Sequence, residues 1–153
     1  MLVKWSSQRS GRASTTACRR SGLANLPRHG DLYAEGDAAI QPSKAEGLGF
    51  AILEAIASGL PVITTHYPPM NESVQPKALL AATRWGQQKA QQSSYIPQAH
   101  FKTPRVSSLA RRITWCASYD LATISASNLA WARETFDRER LRCLWMDKLE
   151  SLL

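Results

Sequence analysis

No run in this chain stays apolar long enough to cross a bilayer, and its first residues lack the greasy core of a secretory signal. Membrane-spanning classes are set aside on that ground. Cysteine is scarce: Cys18, Cys116 and Cys143 are odd in number, far apart and in no Cys-x-x-Cys pattern. That excludes a disulfide frame and a cysteine zinc site, and leaves free thiols in a reducing compartment. His29, His66 and His100 stand alone, so no metal site is expected. Acids are missing altogether from Met1 to Gly30, which carries six Arg or Lys.

What is present is a basic chain of 153 residues, net +7, with its charge unevenly spread. Asp31 to Pro76 has one lysine against six acids, and Lys77 to Leu153 has twelve basic residues against six acidic. Such a balance suits nucleic acid or an anionic surface. Yet Arg111, Arg112, Arg133, Arg138, Arg140 and Arg142 read as single charges on solvated helix faces, and no RNA-binding aromatic motif accompanies them. Nucleic acid therefore ranks last among partners. The length fits one domain. Ser7 to Gly22 has neither period nor apolar content, so residues 1–30 are expected to form a disordered basic leader.

The informative stretch is Glu46 to Thr65. Phe50 to Ser58 is a run of helix formers, apolar almost all round and bounded by Gly49 and Gly59, which predicts a short buried helix. Glu54 is the one ionisable residue between Gly47 and Gly59, and a buried carboxylate needs a polar partner. Leu60-Pro61-Val62-Ile63-Thr64-Thr65 predicts a buried parallel strand entered through a proline. Gly47 and Gly49 flank Leu48 where the chain enters the helix, a place where unpaired N–H groups receive phosphate or sugar oxygens. Glu46 and Glu54 would look into that crevice from two sides, as a nucleotide sugar requires.

From Asp31 through Ala38–Gln41, Pro42-Ser43, Glu46-Gly47-Leu48-Gly49, Glu54 and Ala57-Ser58-Gly59-Leu60-Pro61-Val62-Ile63, the string resembles the donor-site segment of the retaining glycosyltransferases of family 4, which have the GT-B fold. Ala130-Trp131-Ala132-Arg133-Glu134-Thr135-Phe136-Asp137 and the following helix resemble the end of such enzymes. The resemblance implies an α/β fold, an incomplete Rossmann-like nucleotide-sugar-binding domain of the GT-B C-terminal type with C-terminal helices. It implies that Glu54 holds ribose hydroxyls, that Glu46 meets the donor hexose as the catalytic carboxylate, and that Gly47, Leu48, Gly49 and Phe50 offer N–H groups to hexose and phosphate. No metal or cofactor is implied beyond the nucleotide diphosphate sugar as substrate. One departure is Pro68-Pro69, where the family commonly has Gly-Gly.

The expected organisation is a leader at 1–30, a partial donor-binding domain at 31–118 and C-terminal helices at 119–153. Asp31 to Glu35 reads as a helical turn and Tyr67 to Glu72 as a proline-stiffened loop. Trp85, Tyr95, Ile96 and Phe101 are read as packing residues in preference to an acceptor patch. Thr103-Pro104 is expected to open a helix whose stripe of Val106, Leu109, Ala110, Ile113 and Ala117 meets the sheet. Ser125 or Ser127 is expected to cap the next helix, and Asp137 the last, with Trp131, Phe136 and Trp145 as anchors.

The leading expectation is thus the C-terminal part of a cytoplasmic glycosyltransferase that transfers a hexosyl group with retention to an acceptor the sequence does not specify. It is expected to be inactive alone, with the acceptor domain missing or with self-association in its place. The alternative is a non-catalytic nucleotide-binding or interaction module completed by a partner chain. A position peripheral to the membrane is the second option for its location.

Overall fold

The computed structural model describes residues 2–3, 31–34, 36–84 and 101–152. Its elements are strand β1 (Leu2–Val3), helix α1 (Asp31–Ala34), β2 (Ala38–Gln41), α2 (Phe50–Ala57), β3 (Val62–Thr65), a 3-10 turn at Lys77–Leu79, β4 (Leu80–Ala81), α3 (Val106–Ser118), α4 (Ala122–Thr135) and α5 (Arg138–Glu150). The sheet order is β1-β2-β3-β4; β2, β3 and β4 are parallel and β1 runs antiparallel at the edge. This mixed α/β arrangement is compatible with a partial GT-B Rossmann-like domain.

The parallel core follows from its residues. Ala38, Ala39 and Ile40 are buried, and so is every residue of β3, as expected for strands covered on both faces. Ala39 pairs with Val62, Ile40 with Ile63 and Gln41 with Thr64. The fully buried threonines of β3 satisfy their hydroxyls across the sheet: Thr64 Oγ1 donates to the Gln41 carbonyl at 2.8 Å and Thr65 Oγ1 to the Ser43 carbonyl at 2.6 Å. These bonds hold the chain leaving β2 against the end of β3.

Helix α2 packs on β2 and β3, and α4 packs on α2. Ile52, Ala55 and Ile56 form the buried side of α2, whereas Phe50 is 67% exposed. The expected all-round burial is therefore corrected to a one-sided helix. Its end is a Schellman motif, with Gly59 N–H donating to the Ile56 carbonyl and Leu60 N–H to the Ala55 carbonyl, both at 2.9 Å. Gly59 has φ +80°, and a Cβ there would meet Ser125 Oγ at 3.0 Å and Leu129 Cγ at 3.1 Å, so α4 lies directly on this turn. Asn128 of α4 adds a buried bond from Nδ2 to the Leu60 carbonyl at 2.8 Å.

Several boundaries differ from expectation for a physical reason. Thr103-Pro104 do not open α3: Thr83 and Pro104 form an antiparallel bridge, Arg84 N–H donates to the Thr103 carbonyl and Arg105 N–H to the Ala82 carbonyl. These backbone groups are spent on a short ribbon, so the helix starts at Val106. Its buried side chains are Ser108 and Cys116, with Leu109 and Ile113 partly buried, while Val106, Ala110 and Ala117 face solvent. Ser108 turns inward because its Oγ accepts the Ala82 N–H at 2.9 Å. Arg112 is not a solvated charge, since its Nε donates to the Leu80 carbonyl at 3.1 Å. Helix α4 begins at Ala122, whose N–H is accepted by Asp120 Oδ1 at 3.0 Å, leaving Ser125 and Ser127 inside it. Asp137 does cap α5, accepting the Arg140 N–H at 2.6 Å. Trp131 and Phe136 meet edge to face at 5.4 Å, but Trp145 is 66% exposed and anchors nothing. Leu2–Val3, placed by the sequence in the leader, pair as β1; residues 4–30 and 85–100, with Trp85, Tyr95 and Ile96, lie outside the described residues.

Candidate functional site

The candidate site is built where β2 ends. Ser43 lies two residues beyond the strand, and its Oγ donates to Glu46 Oε1 at 2.5 Å while receiving Gln41 Nε2 at 3.2 Å. Because its carbonyl also receives Thr65 Oγ1, the serine ties the carboxylate of Glu46 to the sheet. Glu46 is half-buried. A Cβ on Gly49 would stand 3.9 Å from Glu46 Cβ, so the carboxylate-bearing residue and the start of α2 are in contact.

Gly49 adopts φ 70°, ψ 46° as the residue before α2, a left-handed conformation that a Cβ would disfavour. Its carbonyl accepts the N–H groups of Ile52 at 2.8 Å and Leu53 at 3.1 Å. No side chain caps the helix. The positive end of its dipole is thus answered by neither an Asp nor a Ser, the usual caps. Space around Gly47 is open, with nothing within 4 Å of where a Cβ would stand, and Leu48 and Phe50 project into solvent. Gly47, Leu48 and Phe50 are thus exposed around a buried Gly49, in one turn that follows Glu46.

Glu54 sits one turn beyond Phe50 on the same face of α2 and is half-buried. The polar partner its position demanded includes Tyr33 of α1, whose hydroxyl donates to Glu54 Oε2 at 2.8 Å. Burial pushes the Tyr33 phenol up to about 12, and the hydrogen bond to Glu54 and the carboxylate's charge add to that. The phenol is a donor at all physiological pH. Sequence reasoning missed Tyr33, which precedes Glu54 by twenty-one residues with no local signal linking them. Ser43 had a readable signal, the Ser-x-x-Glu spacing to Glu46.

His66, the histidine next to the end of β3, is exposed, and its backbone N–H donates to the Ala81 carbonyl. The loop after it turns through a cis Pro68–Pro69 peptide. A cavity of about 510 Å³ lies between Arg84 and the Thr103–Ser107 segment, and one of about 430 Å³ opens at the amino ends of β2 and β3 against the α3–α4 turn. Neither is lined by Glu46 or Glu54. Among the described residues no group of three or more His, Cys, Asp or Glu is placed to hold a metal ion, and no helix is long and apolar enough to cross a membrane.

Residues 20–93 match a family model described as Glycosyl transferases group 1. The matched span is just under half of the chain and takes in α1, β2, the glycine turn, α2, β3 and β4. It suggests glycosyl transfer at that coarse level, with a sugar donor and an acceptor in general. No curated protein and no solved structure matches the chain.

Proposed function

We propose that the turn from Glu46 to Phe50, with Glu54, is the donor subsite of a retaining hexosyltransferase of family 4 that uses a nucleotide diphosphate sugar. The observation that carries the reading is a pair of half-buried carboxylates, each bound by a hydroxyl donor, one just before an uncapped helix start and one a turn into that helix. A carboxylate offers about four acceptor positions. The hydroxyl contact orients each carboxylate, and sugar recognition requires an oriented acceptor.

In this reading Glu54 accepts from the ribose hydroxyls and Glu46 from the donor hexose, where it acts on the reacting sugar. The N–H groups from Gly47 to Phe50 and the dipole of α2 take the phosphoryl oxygens and favour the charge that grows on the departing diphosphate. These residues account for donor binding alone, and no acceptor-binding residue is assigned. No metal or cofactor is assigned a role.

Thermal shift with UDP, GDP, ADP and their hexose conjugates tests the assignment. A ligand at a hundred times its dissociation constant adds about 2.7 kcal/mol of stability. At least one conjugate is expected to raise Tm in the wild type and not in Glu54→Gln, which keeps the Tyr33 contact and the side-chain shape. An equal shift in both proteins refutes the placement.

A further inference from the structure

From Ser73 to Tyr119 the chain carries seven Lys or Arg and not one Asp or Glu. That stretch has no carboxylate of its own to balance its cations. Two of them are brought together after β4. Thr83 faces Pro104 in the antiparallel bridge, which sets Arg84 opposite Thr103 and Ala82 opposite Arg105, the pairs closed by the two flanking backbone bonds. Side chains alternate along each strand of such a ribbon, so Arg84, Thr103 and Arg105 stand on one face, the arginines being diagonal neighbours roughly 7–8 Å apart at the backbone.

That face lines the cavity of about 510 Å³ between Arg84 and the Thr103–Ser107 segment. Both arginines are exposed, and among the described residues neither makes an ion pair. Arg112 is different, because its Nε is spent on the Leu80 carbonyl. The guanidinium groups of Arg84 and Arg105 have no such acceptor among the described residues. Helix α3 begins at the cavity's edge with no side-chain cap and no acid in its first turn, so its dipole adds to the potential the two arginines set up. Like charges held this close repel, and an anion between them reverses the sign of the interaction.

We propose that this cavity binds a small phosphate monoester, with its phosphate group held between Arg84 and Arg105. Such a group carries a charge of about −2 near neutral pH, which two guanidinium groups match, and their planar forks suit its oxygens. A carboxylate would leave one of the two cations unanswered. The volume is in the range of small-molecule sites. Lys102 N–H donates to the Lys44 carbonyl at 3.2 Å, so the segment that leads into the cavity is tied to the loop that carries Glu46 two residues further on. Neither Glu46 nor Glu54 lines the cavity, and the inference does not depend on the donor-site reading.

The test is isothermal titration of the full chain at low ionic strength with inorganic phosphate and with glycerol phosphate, chloride at matched ionic strength being the control. Both phosphate probes are expected to bind, and chloride is not. Arg84→Gln and Arg105→Gln are each expected to weaken binding about tenfold, as the loss of one charge-assisted contact would. Both side chains are exposed, so circular dichroism is expected to show the wild-type fold in each variant. Unchanged affinity in either glutamine variant, or no binding beyond the chloride control, would overturn the proposal. So would binding that Gly47→Ala weakens and the arginine changes do not, which would put the phosphate on the glycine turn.

Discussion

Tyr33 and Glu54 show how one contact fixes two behaviours. The phenol's pKa in the folded protein, about 12, lies above its ordinary value of 10.0. Because the folded value is raised, this contribution to stability is complete below pH 10 and is lost as pH climbs through 12. Tyr33→Phe is expected to remove that part of the alkaline decline, worth about 2 kcal/mol at its limit, in melting curves taken across this range. Two glycines separate fold from function in the same way. Gly49→Ala forces a Cβ into a left-handed backbone and is expected to cost about 1 kcal/mol in chemical denaturation. Gly47→Ala meets open space, so its stability is expected to stay within about 0.5 kcal/mol of wild type. Under the proposed donor-site reading it is nonetheless expected to lose the nucleotide-sugar thermal shift, because a methyl would stand where that reading brings phosphate to the backbone. A thiol adds a further check: burial pushes the pKa of Cys116 up to about 11, so thiol reagents at neutral pH are expected to label exposed Cys143 far faster.

At the level of elements, the β2-turn-α2-β3 unit was legible because local signals agree there. The β-branched run after Pro61, the glycines on both sides of α2 and the apolar content between them all point to one arrangement, and the structure adopts it. Helix starts were less legible. Thr103-Pro104 carries a good opening signal, but a long-range ribbon with residues 82–84 uses that backbone first. Ser108 and Arg112 face inward for the same reason, to satisfy backbone groups of the chain at and after β4, and no periodicity reports such a demand. Of the site, the positions of the carboxylates could be read and their hydroxyl partner from α1 could not. The contact of α4 with the Gly59 turn was likewise hidden in sequence, and it carries a prediction. Asn128→Ala removes the donor to the buried Leu60 carbonyl, with an expected loss of about 1 to 3 kcal/mol in denaturant unfolding. A change below a few tenths would show that solvent replaces the bond.

For the whole molecule, packing carries the core past residue 118. Helix α4 rests on α2, Ile124 belongs to the same core cluster as Ile52 and Ile56, and Asn128 reaches back to the turn before β3. A chain ended at 118 is expected to lose cooperative unfolding, as read by the breadth of its thermal transition. Helix α5 has a different standing. It buries nothing, and its Arg140–Glu134 contact with the end of α4 is exposed. An isolated helix of this length is marginal in water. Warming is thus expected to melt it ahead of the remainder. Its amides would exchange with deuterium early, and a shallow decline in ellipticity would precede the main transition.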